Sequence, residues 1–267
     1  MRTVLVCAAL LLSGCVAHRE EGPVDIVGDV RADLSSLRTM KVFFGHQSVG
    51  GNLLQGLQEI ARSQGDSVAI VALSGNGAPF VGGIEHSLIG RNQDPGSKCD
   101  DFVAIVRRIA PEAPDIVAMK FCYVDFDENT DPRAVFDRYR AAVENVRKVV
   151  PSAKILHITS PLTARTPGWK RIVKGLLGRL EAGDETAKRR AAFNRLLREG
   201  FPEDPLFDLA RSESTYPDGR RETARIDGTE VEFLVGEFTS DGGHLSERGR
   251  SQVSRELLHV LATAKGR

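Results

Sequence analysis

The sequence has no excess of charge of either sign, because 36 basic residues are balanced by 36 acidic ones and the formal net charge is zero. Proteins that bind nucleic acid usually carry a basic surface and a high isoelectric point. Attraction to anionic lipids also requires clustered basic residues. The composition therefore gives no electrostatic reason to predict either kind of partner, and we expect no nucleic acid to bind.

Cysteine is also scarce, with four residues in a chain of 267. These cysteines form no CxxC pair, and no cluster of histidine and cysteine has the spacing of a zinc site. The sequence therefore predicts no metal and no cofactor. Cys99 and Cys122 are the cysteines that an exported, processed chain would keep in its fold, and an oxidising compartment leaves a disulfide between them open.

Long apolar runs are absent except at the N-terminus. Arg2 precedes an apolar stretch over residues 3–12, which is too short to cross a bilayer but is typical of a secretory signal. The stretch leads into Leu12-Ser13-Gly14-Cys15, which resembles the bacterial lipobox. This resemblance implies cleavage before Cys15 and a lipid on its thiol. A signal peptide without lipidation, followed by a chance cysteine, is the alternative.

The N-terminal signal also predicts a domain organisation and a location. We expect a lipoprotein signal peptide over residues 1–15, a polar tether over 16–37 that could end in a short helix, and one domain over 38–267. Cys15 would then join the protein to a lipid bilayer. The residue after it is Val16 rather than aspartate, so the resemblance to bacterial lipoproteins favours an outer membrane, with the domain facing the periplasm.

Strand-like and helix-like segments alternate along the rest of the chain. Apolar runs predict strands over residues 39–45, 67–73, 115–124, 154–159 and 206–209, with a further candidate over 231–235. The glycine-rich stretch 74–96 is expected to be a long loop. This alternation predicts an α/β fold, namely a three-layer α/β/α sandwich with a mostly parallel sheet of about five strands. Ligands of such sheets bind at the carboxyl ends of the strands.

The first candidate site follows the first predicted strand, in the segment Phe44-Gly45-His46-Gln47-Ser48-Val49-Gly50. A serine there would stand at the open end of the sheet, where the N–H groups of a helix N-terminus can face a developing oxyanion. Serine before a helix is more often a simple N-cap, so this alternative stays open. A phosphate-binding glycine pattern is missing, which disfavours a flavodoxin-like nucleotide binder.

The second candidate site lies near the C-terminus, in Ser240-Asp241-Gly242-Gly243-His244-Leu245. A serine nucleophile requires a general base, and histidine suits this role because its ordinary pKa is near neutrality. A carboxylate can orient the imidazole and stabilise its charged form. The spacing of Asp241 and His244 would allow one tight loop to hold both groups. The alternative is a loop in which Asp241 only turns the chain.

The two segments together resemble the SGNH/GDSL hydrolase superfamily, which places its serine after the first strand and an Asp-x-x-His element before the last helix. More narrowly, FGHQSVG, IGRNQDP, MKFCYVDF and DGGHL resemble a bacterial branch of lipoproteins of this kind. The resemblance extends over roughly residues 39–264. It implies that Ser48 is the nucleophile, His244 the base and Asp241 the residue that orients the base.

The same resemblance implies an oxyanion hole. The Ser48 N–H is one expected donor, and Gly90 is expected to supply the glycine N–H of the superfamily, with residues 75–77 as the competing candidate. The Gly-x-Asn-Asp motif of the superfamily is replaced by Lys120-Phe121-Cys122-Tyr123, which has no asparagine. Asn92 is the favoured replacement donor. Asn76 is the other candidate, and both asparagines could instead be turn residues.

Other residues are expected around the site. His46, Cys122, Tyr123 and Asp125 are candidates to line the pocket, and His46 is also a poorly placed alternative base. Trp169, within a basic insertion, could form a lid.

The sequence as a whole predicts a lipid-anchored esterase without a cofactor, acting on a small acyl ester or an acylated glycan of the envelope. The alternative is a catalytically weak or inactive module of the same fold that binds an envelope glycan or protein.

Overall fold

The computed structural model describes residues 28–73, 82–165 and 181–266. Six described strands form one parallel sheet, in the order β2-β3-β1-β4-β5-β6. Their bounds are β1 Lys41–His46, β2 Ile70–Ala72, β3 Gly83–Leu88, β4 Ile116–Met119, β5 Lys154–Ile158 and β6 Leu206–Phe207.

Helices cover both faces of this sheet. Their bounds are α1 Val30–Thr39, α2 Val49–Ser63, α3 Pro95–Ile109, α4 Pro132–Val149, α5 Glu181–Gly200, α6 Leu209–Ser214 and α7 Glu247–Ala264. A hairpin of β7 Thr223–Ile226 and β8 Thr229–Glu232 lies outside the main sheet. The predicted strand near 231–235 is therefore part of an antiparallel hairpin.

Two apolar cores explain the three layers. Side chains alternate across a strand, so Val42 and Phe44 of β1 join the core under α1, α2 and α7. Phe43 points to the other face and packs with α3, α4 and α5. The same alternation in β4 sends Ile116 to the first core and Val117 to the second. The predicted three-layer α/β/α fold is confirmed.

The sheet has six strands rather than about five because β3 lies inside the stretch predicted to be a loop. Gly82 and Gly83 enter this strand with φ of 150° and 102°, and a Cβ on Gly83 would come within 2.2 Å of the Ala69 carbonyl oxygen. Glycine is therefore required here by close backbone approach, although it weakens the strand signal in the sequence.

The helix α1 belongs to the domain and not to a tether. Asp29 caps it by accepting a hydrogen bond from the Arg31 N–H, and Leu34 and Leu37 are fully buried in the first core. The domain boundary predicted at residue 38 therefore lies too late in the chain, because an amphipathic helix precedes it. The signal peptide, Cys15 and the first part of the tether lie outside the described residues.

Two further observations bear on the predictions. Cys99 and Cys122 are both buried free thiols, so the disulfide left open by the sequence does not form. None of the helices in the described ranges has the length and apolar character that a membrane span requires.

Candidate active site

Ser48 stands between β1 and α2 with an unusual backbone. Its φ is 49° and its ψ is −111°, a region that non-glycine residues avoid. Its hydroxyl makes no capping hydrogen bond to the helix. The simple N-cap alternative is thus excluded, and the hydroxyl is turned toward another partner.

That partner is His244, from the far end of the chain. The Ser48 Oγ lies 2.6 Å from His244 Nε2, and His244 Nδ1 lies 2.6 Å from Asp241 Oδ2. The two predicted segments therefore meet at one edge of the sheet. If Nδ1 carries the proton, it donates to the carboxylate and leaves Nε2 free to accept from the serine hydroxyl.

The loop around Asp241 is held by its own backbone. Asp241 Oδ1 accepts hydrogen bonds from the N–H groups of Gly243 at 2.9 Å and His244 at 2.8 Å. These bonds and the contact with the imidazole hold the pKa of Asp241 well below its ordinary value. The carboxylate is therefore charged through the neutral range, although its side chain is 53% exposed.

Glycine at position 243 has a steric reason. A Cβ built there would come within 2.7 Å of the Tyr123 ring. The tyrosine packs edge-on against His244, with ring centroids 6.0 Å apart. The loop is further tied to the rest of the fold, because Leu245 donates to Asn52 Oδ1 of α2 and Ala164 donates to the Gly242 carbonyl.

The predicted oxyanion donors differ in availability. The first backbone hydrogen bond of the turn that starts α2 runs from the Gly50 N–H to the Gln47 carbonyl. The Ser48 N–H lies before this bond, so the helix does not use it as a donor. The Gly90 N–H, in contrast, donates to Asp101 Oδ2 at 2.7 Å. Gly90 has a φ of 52° and serves to turn the chain after β3. The expectation that Gly90 supplies an oxyanion donor is therefore wrong for this geometry.

Asn92 lies in the same loop, is exposed, and has its amide oxygen occupied. Lys98 Nζ donates to Asn92 Oδ1 at 3.1 Å. The loop is held next to Ser48 because the Gln47 side chain donates to the carbonyls of Ile89 and Gly90, at 3.0 and 2.7 Å. The two N–H groups of the Asn92 amide remain as donors at this edge of the sheet.

The residues expected to line the pocket divide into two groups. Tyr123 lies against the site, as described above. Cys122 and Asp125 are buried below it, at 1% and 3% exposure, and Asp125 pairs with Lys98. They support the site from the core and do not form its surface, because the chain after β4 turns inward.

His46 is a buried neighbour of the site and not an alternative base. Its Nε2 lies 3.0 Å from His86 Nδ1, and its ring occupies the space that a Cβ on Gly50 would need. Burial, together with the nearby His86 and Lys120, lowers the pKa of His46 to about 3. The ring is thus neutral and engaged away from Ser48.

Several charged residues near the site had no clear signal in the sequence. Lys98, Lys120, Arg190 and Glu213 are all buried, at 2% exposure or less. Lys120 donates to the Phe121 carbonyl, and Arg190 donates to Thr163. Only Lys120 could have been noticed, because it is a lysine inside an apolar run.

Other predicted features lie outside the described residues. These are the competing candidate at Gly75-Asn76-Gly77 and the basic insertion with Trp169. Within the described ranges, no group of three or more histidine, cysteine, aspartate or glutamate side chains could hold a metal ion.

No protein-family model and no curated protein sequence matches the chain. Its fold is similar to several solved structures at low identity. A carbohydrate esterase family 3 protein from Talaromyces cellulolyticus is 12% identical with a TM-score of 0.48, over 85% of this chain and 98% of the other. The periplasmic domain of a lipopolysaccharide acetyltransferase from Salmonella ser. Paratyphi A is 14% identical with a TM-score of 0.44, over 86% and 88%.

A peptidoglycan O-acetylesterase is 16% identical with a TM-score of 0.44, over 68% of this chain and 47% of the other. The matched part of this chain thus spans about half the length of that protein. At such identities a likeness describes the fold alone, and the chemistry has to rest on the side chains of this chain.

Proposed function

We propose that this chain is a lipid-anchored serine hydrolase of the SGNH/GDSL type that cleaves carboxylic esters. The observation that carries the proposal is the continuous chain of hydrogen bonds from Ser48 Oγ through His244 to Asp241, with 2.6 Å at each step. A hydroxyl, an imidazole and a carboxylate in this order constitute an activated nucleophile.

The proposed reaction has two stages. Ser48 Oγ attacks the acyl carbonyl while His244 Nε2 accepts the hydroxyl proton, and the C–O bond to the alcohol then breaks as His244 protonates the leaving oxygen. Water attacks the resulting acyl-serine, gives its proton to His244 and releases the acid, after which the proton returns to Ser48. The Ser48 N–H and the Asn92 amide are the proposed donors to the oxyanion.

The proposed substrates are O-acyl groups on envelope glycans. This choice rests on the resemblance to the superfamily and on the proposed envelope location. The site also suits such a substrate sterically, since Asp241 and His244 are 53% and 44% exposed and can approach a bulky acyl carrier at the surface.

The first test compares the hydrolysis of p-nitrophenyl acetate by the full chain and by Ser48→Ala. We expect the substitution to lower kcat by a factor on the order of 10³ or more, because the nucleophile is lost. Ser63→Ala, at the other end of α2, is the matched control and should retain wild-type activity. Equal hydrolysis by the wild type and Ser48→Ala would contradict the proposal.

A fluorophosphonate probe separates the hydrolase from a binding module of the same fold. The module is the second candidate because the Gly90 N–H is already engaged and residues 120–123, directly after β4, contain no asparagine. An activated Ser48 should become covalently labelled, and His244→Ala should abolish the labelling. An unlabelled wild-type protein that binds acetylated glycan would favour the module.

The anchor is proposed from the Leu12-Ser13-Gly14-Cys15 segment. Bacterial cells that express the chain and are fed an alkyne-modified palmitate should incorporate it into the wild type and not into Cys15→Ala. A single acyl chain gives only weak membrane binding, so stable attachment requires the additional acyl groups of a lipoprotein. Wild-type protein recovered without lipid in the soluble fraction would contradict the anchor.

A further inference from the structure

A buried lysine lies directly behind the loop that carries Asn92. Lys98 is in the first turns of α3, and its side chain has no solvent exposure. Its ammonium donates to Asp125 Oδ2 at 2.5 Å and to Asn92 Oδ1 at 3.1 Å. A cation near a helix N-terminus opposes the helix dipole, and a buried ion pair often contributes no net stability. The pair therefore fits a positioning role better than a packing role.

Asp125 connects two segments of the site. Its Oδ1 accepts a hydrogen bond from the Gln93 N–H at 2.9 Å, and its Oδ2 accepts one from the Cys122 N–H at 2.7 Å. The loop after β3 and the segment after β4 are thus joined through one carboxylate and one ammonium. Because both groups are buried, this connection is screened little by solvent.

The lysine also determines how the Asn92 amide is turned. An ammonium group only donates hydrogen bonds, so the atom that faces Lys98 Nζ must be the amide oxygen. The amide nitrogen then points away from Lys98, and the loop itself is held beside Ser48 by the Gln47 side chain. A neutral or apolar residue at position 98 would leave this orientation unspecified.

We propose that Lys98, paired with Asp125, is a positioning residue that holds Asn92 with its N–H groups toward the oxyanion formed at Ser48. This inference rests on the proposed hydrolase function. The superfamily's asparagine directly after β4 is missing in this chain. Asn92, oriented by the buried Lys98, would supply the oxyanion donor in its place. Lys98 does not touch substrate and acts only through Asn92.

A double-mutant cycle with Lys98→Met and Asn92→Ala tests the inference. Active-site titration with a fluorophosphonate corrects kcat for any unfolded fraction. We expect Lys98→Met to lower kcat about 10- to 100-fold at nearly unchanged KM, since a misplaced group can cost this much. In the Asn92→Ala background it should cause no further loss. Lys265→Met, which removes an exposed lysine, is the control and should leave kcat unchanged.

The same factor of loss in both backgrounds would overturn the positioning role, even while hydrolysis remained dependent on Ser48. If Ser48→Ala were as active as the wild type, the proposed function itself would fail instead. Asn92→Asp covers the case in which Lys98→Met does not fold, because it keeps an acceptor for Lys98 and loses the donor. It should lower kcat about 10²- to 10³-fold, and wild-type kcat would contradict the inference.

Discussion

At the residue scale, the site depends on a serine whose backbone is held in an unfavourable conformation. Non-glycine residues in such regions cost about 1–3 kcal/mol and persist where the surrounding structure imposes them. Here β1 on one side and the start of α2 on the other impose it on Ser48, and the result is a hydroxyl aimed at His244. The strain thus accompanies the geometry that the proposed chemistry requires.

Comparison of Ser48→Gly with Ser48→Ala should reveal this strain. Both variants lose the hydroxyl, but only alanine keeps a Cβ at a φ of 49°. We expect the glycine variant to have a free energy of unfolding about 1–3 kcal/mol higher than the alanine variant. Urea denaturation measures the difference, and equal stability of the two would show that the conformation is not strained.

The contacts among the candidate catalytic residues could be predicted from the sequence better than the contacts of the residues around them. The contact of Ser48 with His244 and of His244 with Asp241 could be predicted because the types and order of these residues resemble those of a known superfamily. Gly90 was assigned wrongly because its N–H bonds to Asp101, a residue 11 positions away that no motif connects to it. The burial of the charged residues Lys98 and Glu213 was not predicted, because a sequence does not show which polar residues are solvated.

At the scale of elements, α1 determines where the domain begins. Its Leu34 and Leu37 pack in the same core as Leu257 and Leu261 of α7. A short helix could be expected here from the sequence, but the polar residues around it led to its assignment to the tether and not to the core of the domain. Strand β3 was missed because its stretch is rich in glycine, which is typical of loops. Here Gly82 and Gly83 allow close packing of the backbone and do not form a turn.

Truncation of one α1 side chain should show that this helix is structural. Leu37→Ala removes a fully buried side chain and should lower the free energy of unfolding by about 2–5 kcal/mol. Ser35→Ala, on the exposed side of the same helix, should change it by less than about 0.5 kcal/mol. Both are measured by urea denaturation. Identical stability of Leu37→Ala and wild type would show that α1 does not stabilise the domain and belongs to the tether.

At the scale of the whole molecule, a buried carboxyl group couples folding to pH. Glu213 is completely buried, accepts a hydrogen bond from the Leu162 N–H, and has a second oxygen without a partner among the described residues. Burial raises its pKa to about 8. At pH values between the ordinary glutamate pKa and this raised pKa, Glu213 has lost its proton in the unfolded chain but keeps it in the folded chain. The free energy of unfolding therefore falls as the pH rises through this window.

Glu213→Gln should remove this contribution, because an amide keeps an acceptor for Leu162 and does not ionise. Between pH 5 and pH 8, the wild type should lose more stability than the variant, by at most about 1.4 kcal/mol for each pH unit. Urea denaturation at the two pH values measures this. Glu203→Gln, at an exposed position, is the control, and its stability should depend on pH as that of the wild type does. If the wild type and Glu213→Gln lost the same stability between the two pH values, Glu213 would have to be ionised in the folded protein.

The position of α1 has a geometric consequence for an anchored protein. Helix α2 begins directly after Ser48 and ends at Ser63, and α1 contacts the region just beyond its far end, through Arg31 with Gln64 and Arg38 with Asp66. The chain from Cys15 thus joins the fold at the side opposite the reacting edge. Residues 16–28 can span at most about 45 Å when fully extended. If Cys15 carries the proposed lipid, the tether would therefore meet the domain on the side away from Ser48, and its length would leave the reacting edge free to face away from the bilayer.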